Sequence, residues 1–290
     1  MGHGATACAL AALLTERDIL RLADGTPAPP DLRLRLEALS TGRAPLPGLV
    51  PDAGAVRRVR EAAVVLRNRA HVRDTPLDAD VAGLLAGLAY PDRLAQRETP
   101  ERVRLITGQR AALPAEHFSP GTTYFGVAHL DGPPHAPRAA LAAPIEREEL
   151  EQHFSDLIES LEEVRWDAAA GRVVARRIRR LGAITLAETA LTQPAPEAVA
   201  AALLDGLRQG GIARLPWTDE AQQTRERLAF AHHLFPAEWP DTSDEALLAA
   251  LPKWLGPYLE GLRTMAEVNR LPLGKRCSTG CPAAGPNSRN

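Results

Sequence analysis

The texture of the chain changes twice along its length, and those two changes limit the folds open to it. Up to about Ala89, apolar residues recur at the three- and four-residue spacing of buried helix faces. From Tyr90-Pro91-Asp92-Arg93 onward they fall instead in short runs broken by Gly and Pro, the pattern of strands. After Pro194 and Pro196 helical spacing returns, and from about Leu273 no periodicity of either kind remains. A helical region, a β-rich region and a second helical region in sequence order define an α+β chain. The expected divisions are a helical region over 1–89, a β-rich part over 90–193, a helical region over 194–272 and a disordered tail over 273–290.

Within the first part, Ala7 to Leu14 is apolar with high helix propensity, and the Asp24-Gly25-Thr26-Pro27-Ala28-Pro29-Pro30 run is a break. A short helix from Asp31 ends at Gly42. Val56, Val59, Ala63, Leu66 and Ala70 form the buried stripe of a third helix, with its arginines largely outside it, and a fourth begins after Pro76. In the middle part, strands are expected over 102–107, 122–130 and 138–143. A helix should follow Pro144, because Glu146, Glu148 and Glu149 suit the positive end of its dipole. Strands over 163–166 and 172–180 flank a loop ending in Gly171, and a strand over 183–191 completes a set compatible with a small, partly open barrel of the OB type. In the third part Thr218 is placed to cap one helix and Ser243 opens another.

The 290 residues are 45% hydrophobic, enough for a sizeable core and for two or three domains. No run approaches the roughly 20 apolar residues of a membrane span, and no signal-peptide pattern follows Met1, so a cytoplasmic, membrane-free chain is expected. Three cysteines, Cys8, Cys277 and Cys281, make no disulfide framework, and no second ligand pair stands near Cys277 and Cys281 to complete a metal site. The net charge of −2 gives no global attraction to polyanions, so any nucleic-acid contact must come from a local patch.

Catalytic signatures are missing. There is no G-x-x-x-x-G-K-[ST] loop to cradle a triphosphate, no acidic magnesium-binding box and no G-x-S-x-G elbow. His129 and His135 are separated by the loop-forming Gly132-Pro133-Pro134, and His232 and His233 are adjacent on a helix and so face apart. No catalytic or metal-binding residue is therefore assigned. The strongest chemical signal is Arg172, Arg176, Arg177, Arg179 and Arg180, five cations on one expected strand with Asp167 the nearest acid. A strand places such a run on both of its faces. Two readings stay open on these residues alone: phosphate contacts to a nucleic-acid backbone, or a charged edge strand that resists aggregation. Aromatic residues are 4% of the chain, too few for an extended base-stacking platform, and the four tryptophans read as core.

Several blocks in order carry a resemblance. They are Gly2-His3-Gly4 with Ala9 through Asp18, Ala89-Tyr90-Pro91-Asp92-Arg93-Leu94-Ala95, and Glu163-Val164-Arg165-Trp166-Asp167 with Gly171-Arg172-Val173 and Arg179-Arg180-Leu181-Gly182-Ala183. Leu215-Pro216-Trp217-Thr218, Ser243 through Ala249, Trp254-Leu255 and Pro257-Tyr258 complete the series. From about Gly2 to Pro272 the chain resembles the accessory region that follows the motor in the HrpB family of bacterial DEAH-type ATP-dependent helicases. The resemblance implies a superfamily-2 helicase that moves on RNA or DNA, with these segments guiding the strand and the five arginines on its phosphates. It implies single-stranded RNA or DNA as partner, with helicase motor domains a second. ATP and magnesium belong to the family's motor domains, which have no counterpart in these 290 residues, and the family's further C-terminal region is replaced by the tail. A truncated product without function and an independent hydrolase are the alternative readings. The chain alone is expected to be without ATPase activity. Titration with a fluorescent ATP analogue should therefore show no saturable, magnesium-dependent binding in the micromolar range.

Overall fold

The computed structural model describes residues 2–271. The tail expected from residue 273, with Cys277 and Cys281, lies outside them. Contacts divide the chain into two compact units, one of residues 1–159 with 179–186, the other of residues 160–178 with 187–290.

The first unit begins with helices where apolar spacing required them: α1 (Gly4–Thr15), α2 (Leu32–Thr41), α3 (Ala53–Arg69) and α4 (Ala82–Ala89). Asp31 caps α2 through the Arg33 amide, Gly42 ends it at a φ of 71°, and Asp52 caps α3 through the Ala55 amide. Two three-residue strands that the spacing did not announce, β1 (Leu20–Leu22) and β2 (Leu49–Pro51), pair antiparallel and bracket α2. Leu10, Leu13, Ile19, Leu32, Leu36, Leu39, Val56 and Val59 form the shared core. Cys8 is buried in α1 as a free thiol.

Five strands follow and close into a barrel: β3 (Leu94–Thr99), β4 (Arg102–Leu105), β5 (Arg110–Ala112), β6 (Tyr124–Asp131) and β7 (Arg138–Pro144), in the order β3-β4-β5-β7-β6. All the pairings are antiparallel except β5 with β7, which is parallel through Ala112 and Arg138. Val103, Leu105, Leu113, Phe125 and Val127 fill the interior, with Phe118 edge-on to Phe125 at 4.9 Å. The Arg97 guanidinium lies 4.7 Å from the Phe125 ring centroid.

The strand set expected to make the barrel needs one correction. The strands after residue 158 are not part of it, because β3 and β5, both missed in the sequence, supply the closure. β8 (Ile158–Asp167), β9 (Arg172–Leu181) and β10 (Ile184–Ala190) form a separate three-stranded sheet in the order β10-β9-β8. The helix expected after Pro144 is α5 (Arg147–His153), capped reciprocally by Glu146 and Glu149.

Among the described residues the second unit holds the distal part of that sheet and the α-helices α6 (Pro196–Gly210), α7 (Asp219–Leu234), α8 (Asp244–Ala249), α9 (Leu251–Trp254) and α10 (Met265–Val268). Thr218 and Ser243 cap α7 and α8 as their spacing predicted. Trp166 of β8 packs on Gly206 of α6 so closely that a Cβ there would lie 2.3 Å from the indole. Val173 joins Leu203, Leu207, Leu251 and Trp254 in the core. Beyond the end of β10, Arg172 bridges Thr264 and the Val173 amide donates to the Arg263 carbonyl, so the tip of the β8–β9 hairpin is held in this core. Among the described residues no helix is long and apolar enough to cross a membrane.

The helical and barrel parts of the first unit meet backbone to backbone. A Cβ on Gly83 of α4 would lie 1.8 Å from the Pro144 carbonyl oxygen, and one on Gly126 of β6 would lie 2.1 Å from the Gly83 carbonyl oxygen. Neither glycine has a positive φ, so the requirement is for space and not for backbone freedom. Gly83→Ala and Gly126→Ala should each destabilise the chain by about 1–3 kcal/mol or more, the scale of an overpacked core. Gly256→Ala, with open space around the added atom, should leave the thermal midpoint unchanged in the same measurement.

Candidate nucleic-acid interface

The five arginines singled out in the sequence all lie on β9, but they do not make one patch. Alternation puts Arg172, Arg176 and Arg180 on one face of the strand and Arg177 and Arg179 on the other. Four of the five meet carboxylates. Arg176 bonds Glu163, and it bonds Glu188 at 2.7 Å. Arg177 meets Glu162 at 2.8 Å, Arg179 meets Glu151 at 3.0 Å and Arg180 meets Glu159 at 2.9 Å. Arg172 has no ionic partner among the described residues, and its backbone is engaged with Thr264. The hydrogen bond that Arg176 donates to Glu163 holds its guanidinium above the ordinary arginine range. Arg147, then Arg179, holds the Glu151 carboxyl below the usual carboxylate range. Four of the five arginines therefore face five glutamates, and the charge of the strand is largely matched.

A second set of cations was not singled out in the sequence. On β4, Arg102 and Arg104 alternate with the buried Val103 and Leu105, so both point away from the barrel interior. Arg110 of β5 is the register partner of Arg104 and shares its face, and Ala112 stands opposite Arg102. The alternation of cations and apolar residues over Arg102–Leu105 is the signal that could have found them. Glu98, at a bulge in β3, accepts from Arg110 at 3.0 Å and from Arg104. Arg102 has no ionic partner among the described residues, and Glu101 in the preceding turn acts on Arg97. Three arginines thus stand on a face with one acid, which pairs with two of them.

Beside this face lies a cleft of about 340 Å³ lined by Arg102, Gln109, Arg110, His135 and the loop joining β6 to β7. The Gln109 side chain donates to the Pro134 carbonyl at 3.2 Å and ties the β4–β5 turn to that loop. His135 stands at this cleft, whereas His129 lines a different groove, so the two histidines do not converge. His232 bonds the Trp239 carbonyl. No group of three or more His, Cys, Asp or Glu positioned to hold a metal occurs among the described residues. Phe125 is sealed in the barrel and Tyr124 is buried on its outer side, so neither is open to a base. Trp166, Trp217 and Trp254 pack with the core of the second unit.

The family model described as "ATP-dependent RNA helicase HrpB, connector region" matches residues 157–191, the span of the three-stranded sheet with its arginine strand. The ATP-dependent RNA helicase HrpB of Escherichia coli K12 is 35% identical over 214 residues, which cover 72% of this chain. The chain is HrpB-like. It spans 26% of the length of that curated HrpB. A crystal structure of the E. coli DExH-box NTPase HrpB aligns over 94% of this chain and 31% of its own, with 29% identity and a TM-score of 0.50. A second, of the Escherichia coli DEAH/RHA helicase HrpB, covers 94% of this chain and 32% of its own at 28% identity, with a TM-score of 0.46.

The ion pairs on the β4–β5 face have a pH signature. Arg110, then Arg104, depresses the Glu98 carboxyl from 4.5 to about 2. A carboxylate with a lowered folded-state pKa contributes stability above its unfolded value, and that contribution is lost as pH falls through the folded value. The excess thermal stability of the natural chain over Glu98→Gln should therefore be complete above pH 4.5. It should shrink as pH falls toward 2, read as the difference between the two melting temperatures across that range.

Proposed function

We propose that this chain is the accessory, nucleic-acid-binding part of an ATP-dependent helicase of the HrpB kind, and that it holds single-stranded RNA or DNA on the outer face of β4 and β5. The observation that carries this reading is the excess of cations on that face. Arg104 and Arg110 share one carboxylate, Arg102 has none, and Arg102 and Arg110 border a cleft lined by the β6–β7 loop. The strand order β3-β4-β5-β7-β6, with its one parallel pairing, supports an OB-like barrel. In OB folds the second and third strands, flanked by the loop after the first strand and the loop between the last two, form the oligonucleotide face. Here those strands are β4 and β5. The name of the curated relative favours RNA as the ligand.

The sequence holds no phosphate-cradling loop and no acidic box, so the residues present do not fit ATP with its magnesium. In this reading ATP is handled by the DEAH-type motor domains that such a helicase requires, in the cytoplasm, and these domains are the protein partner. The β9 arginines are a second candidate for the phosphate contacts. Their pairing makes them the weaker one, since a phosphate would have to displace a glutamate from four of the five guanidiniums.

Fluorescence anisotropy with a single-stranded RNA 12-mer separates the two faces. With about three phosphates neutralised, log affinity against log salt should slope at about −2, from roughly −0.7 per contact on a single strand. Changing Arg102, Arg104 and Arg110 together to Gln should weaken binding and flatten that slope. Changing Arg176, Arg177, Arg179 and Arg180 together to Gln should have the smaller effect. The reverse order would move the function to β9, and an absence of RNA binding in the natural chain would overturn the proposal.

A further inference from the structure

A groove of about 640 Å³ lies in the first unit between the α1–α2 segment and the barrel, within the size range of small-molecule sites. Its apolar lining comes from Leu14, Leu22, Pro29 and Leu141, and two imidazoles, His117 and His129, stand in it. The wall opposite the barrel is rigidly built. Arg35, 2% exposed, donates to both oxygens of Asp18, at 3.2 and 2.6 Å, and to the carbonyls of Pro29 and Asp31. One buried guanidinium therefore holds the proline-rich segment in place beside the groove.

The charges in this groove restrict what can enter it. Asp18 is matched by Arg35, Glu16 by Arg58, and Asp131 by Arg138 in a two-pronged pair at 3.0 and 2.6 Å. No free cation remains there for a phosphate, and no free acid for a cation. A peptide adding as a strand is excluded along β7, because Ala142 already donates to Pro30 and bridges Asp31. What remains suits a planar, uncharged heterocycle. The leucines and prolines provide apolar surface for its faces, the two imidazoles provide a stacking plane and ring nitrogens, and Arg138 keeps one amino group outside its pair with Asp131.

The groove also begins where the cationic cleft ends. Arg138, which lines the groove, is the register partner of Ala112, which lines the cleft, and the Ala112 amide donates to Pro137 of the cleft loop at 2.9 Å. We infer that this groove is a nucleobase-binding site, taking an unstacked base of the single strand whose phosphates lie on β4 and β5. The inference rests on the nucleic-acid reading of that face and adds to it a site that recognises the base. Phosphate attraction and base contact are thereby assigned to different residues, and that separation is testable.

The test compares a single-stranded RNA 12-mer with the same backbone carrying abasic sites, in the full 290-residue chain. His117→Ala with His129→Ala removes the imidazoles at half-exposed and exposed positions. The double variant should lose roughly tenfold in affinity for the intact RNA, the scale of one base–ring stack, and nothing for the abasic strand. Changing Arg102 and Arg110 to Gln should weaken both strands alike. Equal loss on both strands in the histidine variant overturns the inference. Adenosine and uridine titrations followed on the imidazole resonances supply an independent reading, with saturable shifts of His117 and His129 expected at millimolar nucleoside. If the natural chain bound neither strand, the proposed function would fail, and nucleoside shifts alone would then make the groove a site for free nucleosides. Unchanged affinity for intact RNA in the double variant with nucleoside shifts present gives the same assignment. Unchanged affinity without those shifts overturns the groove as a base site.

Discussion

The contact between Gly83 and Gly126 is the constraint on which the architecture of the first unit depends. A side chain on Gly126 would meet the backbone of Gly83 and Gly87, and one on Gly83 the backbone of Ala143 and Pro144, so α4 rests directly on β6 and the end of β7. Gly87, one turn along α4, repeats the condition against Leu94 and Phe154, where a Cβ would come within 2.6 and 3.2 Å. Small residues four apart on one helix face allow this approach. The consequence is geometric. With α4 pressed to the barrel, Pro30 and Asp31 ahead of α2 reach β7, and the groove between the α1–α2 segment and the barrel keeps a defined width.

The charge pattern of β9 shows how a cationic run in sequence becomes a largely paired surface in the fold. In sequence, the run from Arg172 to Arg180 is five cations with one nearby acid. In three dimensions the acids come from β8, β10 and α5. Three of the pairs, Arg176 with Glu163, Arg177 with Glu162 and Arg180 with Glu159, join positions equidistant from the centre of the hairpin loop. A hairpin register drawn about Ala169 and Ala170 would have matched them in advance. Exposed pairs of this kind each contribute little to stability. Collectively they allow a strand dense in arginine to lie inside a sheet, since like charges left unmatched across strands would destabilise it.

The helices and their caps were legible because their signals are local. Asp31, Thr218 and Ser243 each bond an amide two or three residues on, and Gly42 ends α2 in the left-handed conformation that favours glycine. The barrel was only half legible. β4 alternates and β6 and β7 are apolar runs, whereas β3 reads Leu94-Ala95-Gln96-Arg97-Glu98-Thr99 and β5 is three residues long. Those two short or polar strands decide which segments close the barrel, and their pairing energy comes from partners remote in sequence. The long strands after residue 158 then drew the expected boundary too far, although their tip packs into the helical core through Val164, Trp166 and Val173.

The same distinction between local and remote matching explains why the cationic face was missed. Arg102, Arg104 and Arg110 are too dispersed to stand out as a run, and only the pairing of β4 with β5 gathers them on one surface. What decides the electrostatics of a surface is the remainder after pairing, not the number of cations in a window. On β9 the pairing leaves one of five arginines, Arg172, because glutamates flank the other four. On β4 and β5, Glu98 occupies two arginines and leaves Arg102 free. A carboxylate shared between two guanidiniums can yield one of them to a phosphate and keep the other. Arg176 on β9 is the opposite case, since Glu163 and Glu188 both bind it, and a phosphate arriving there would add a third anion to one cation.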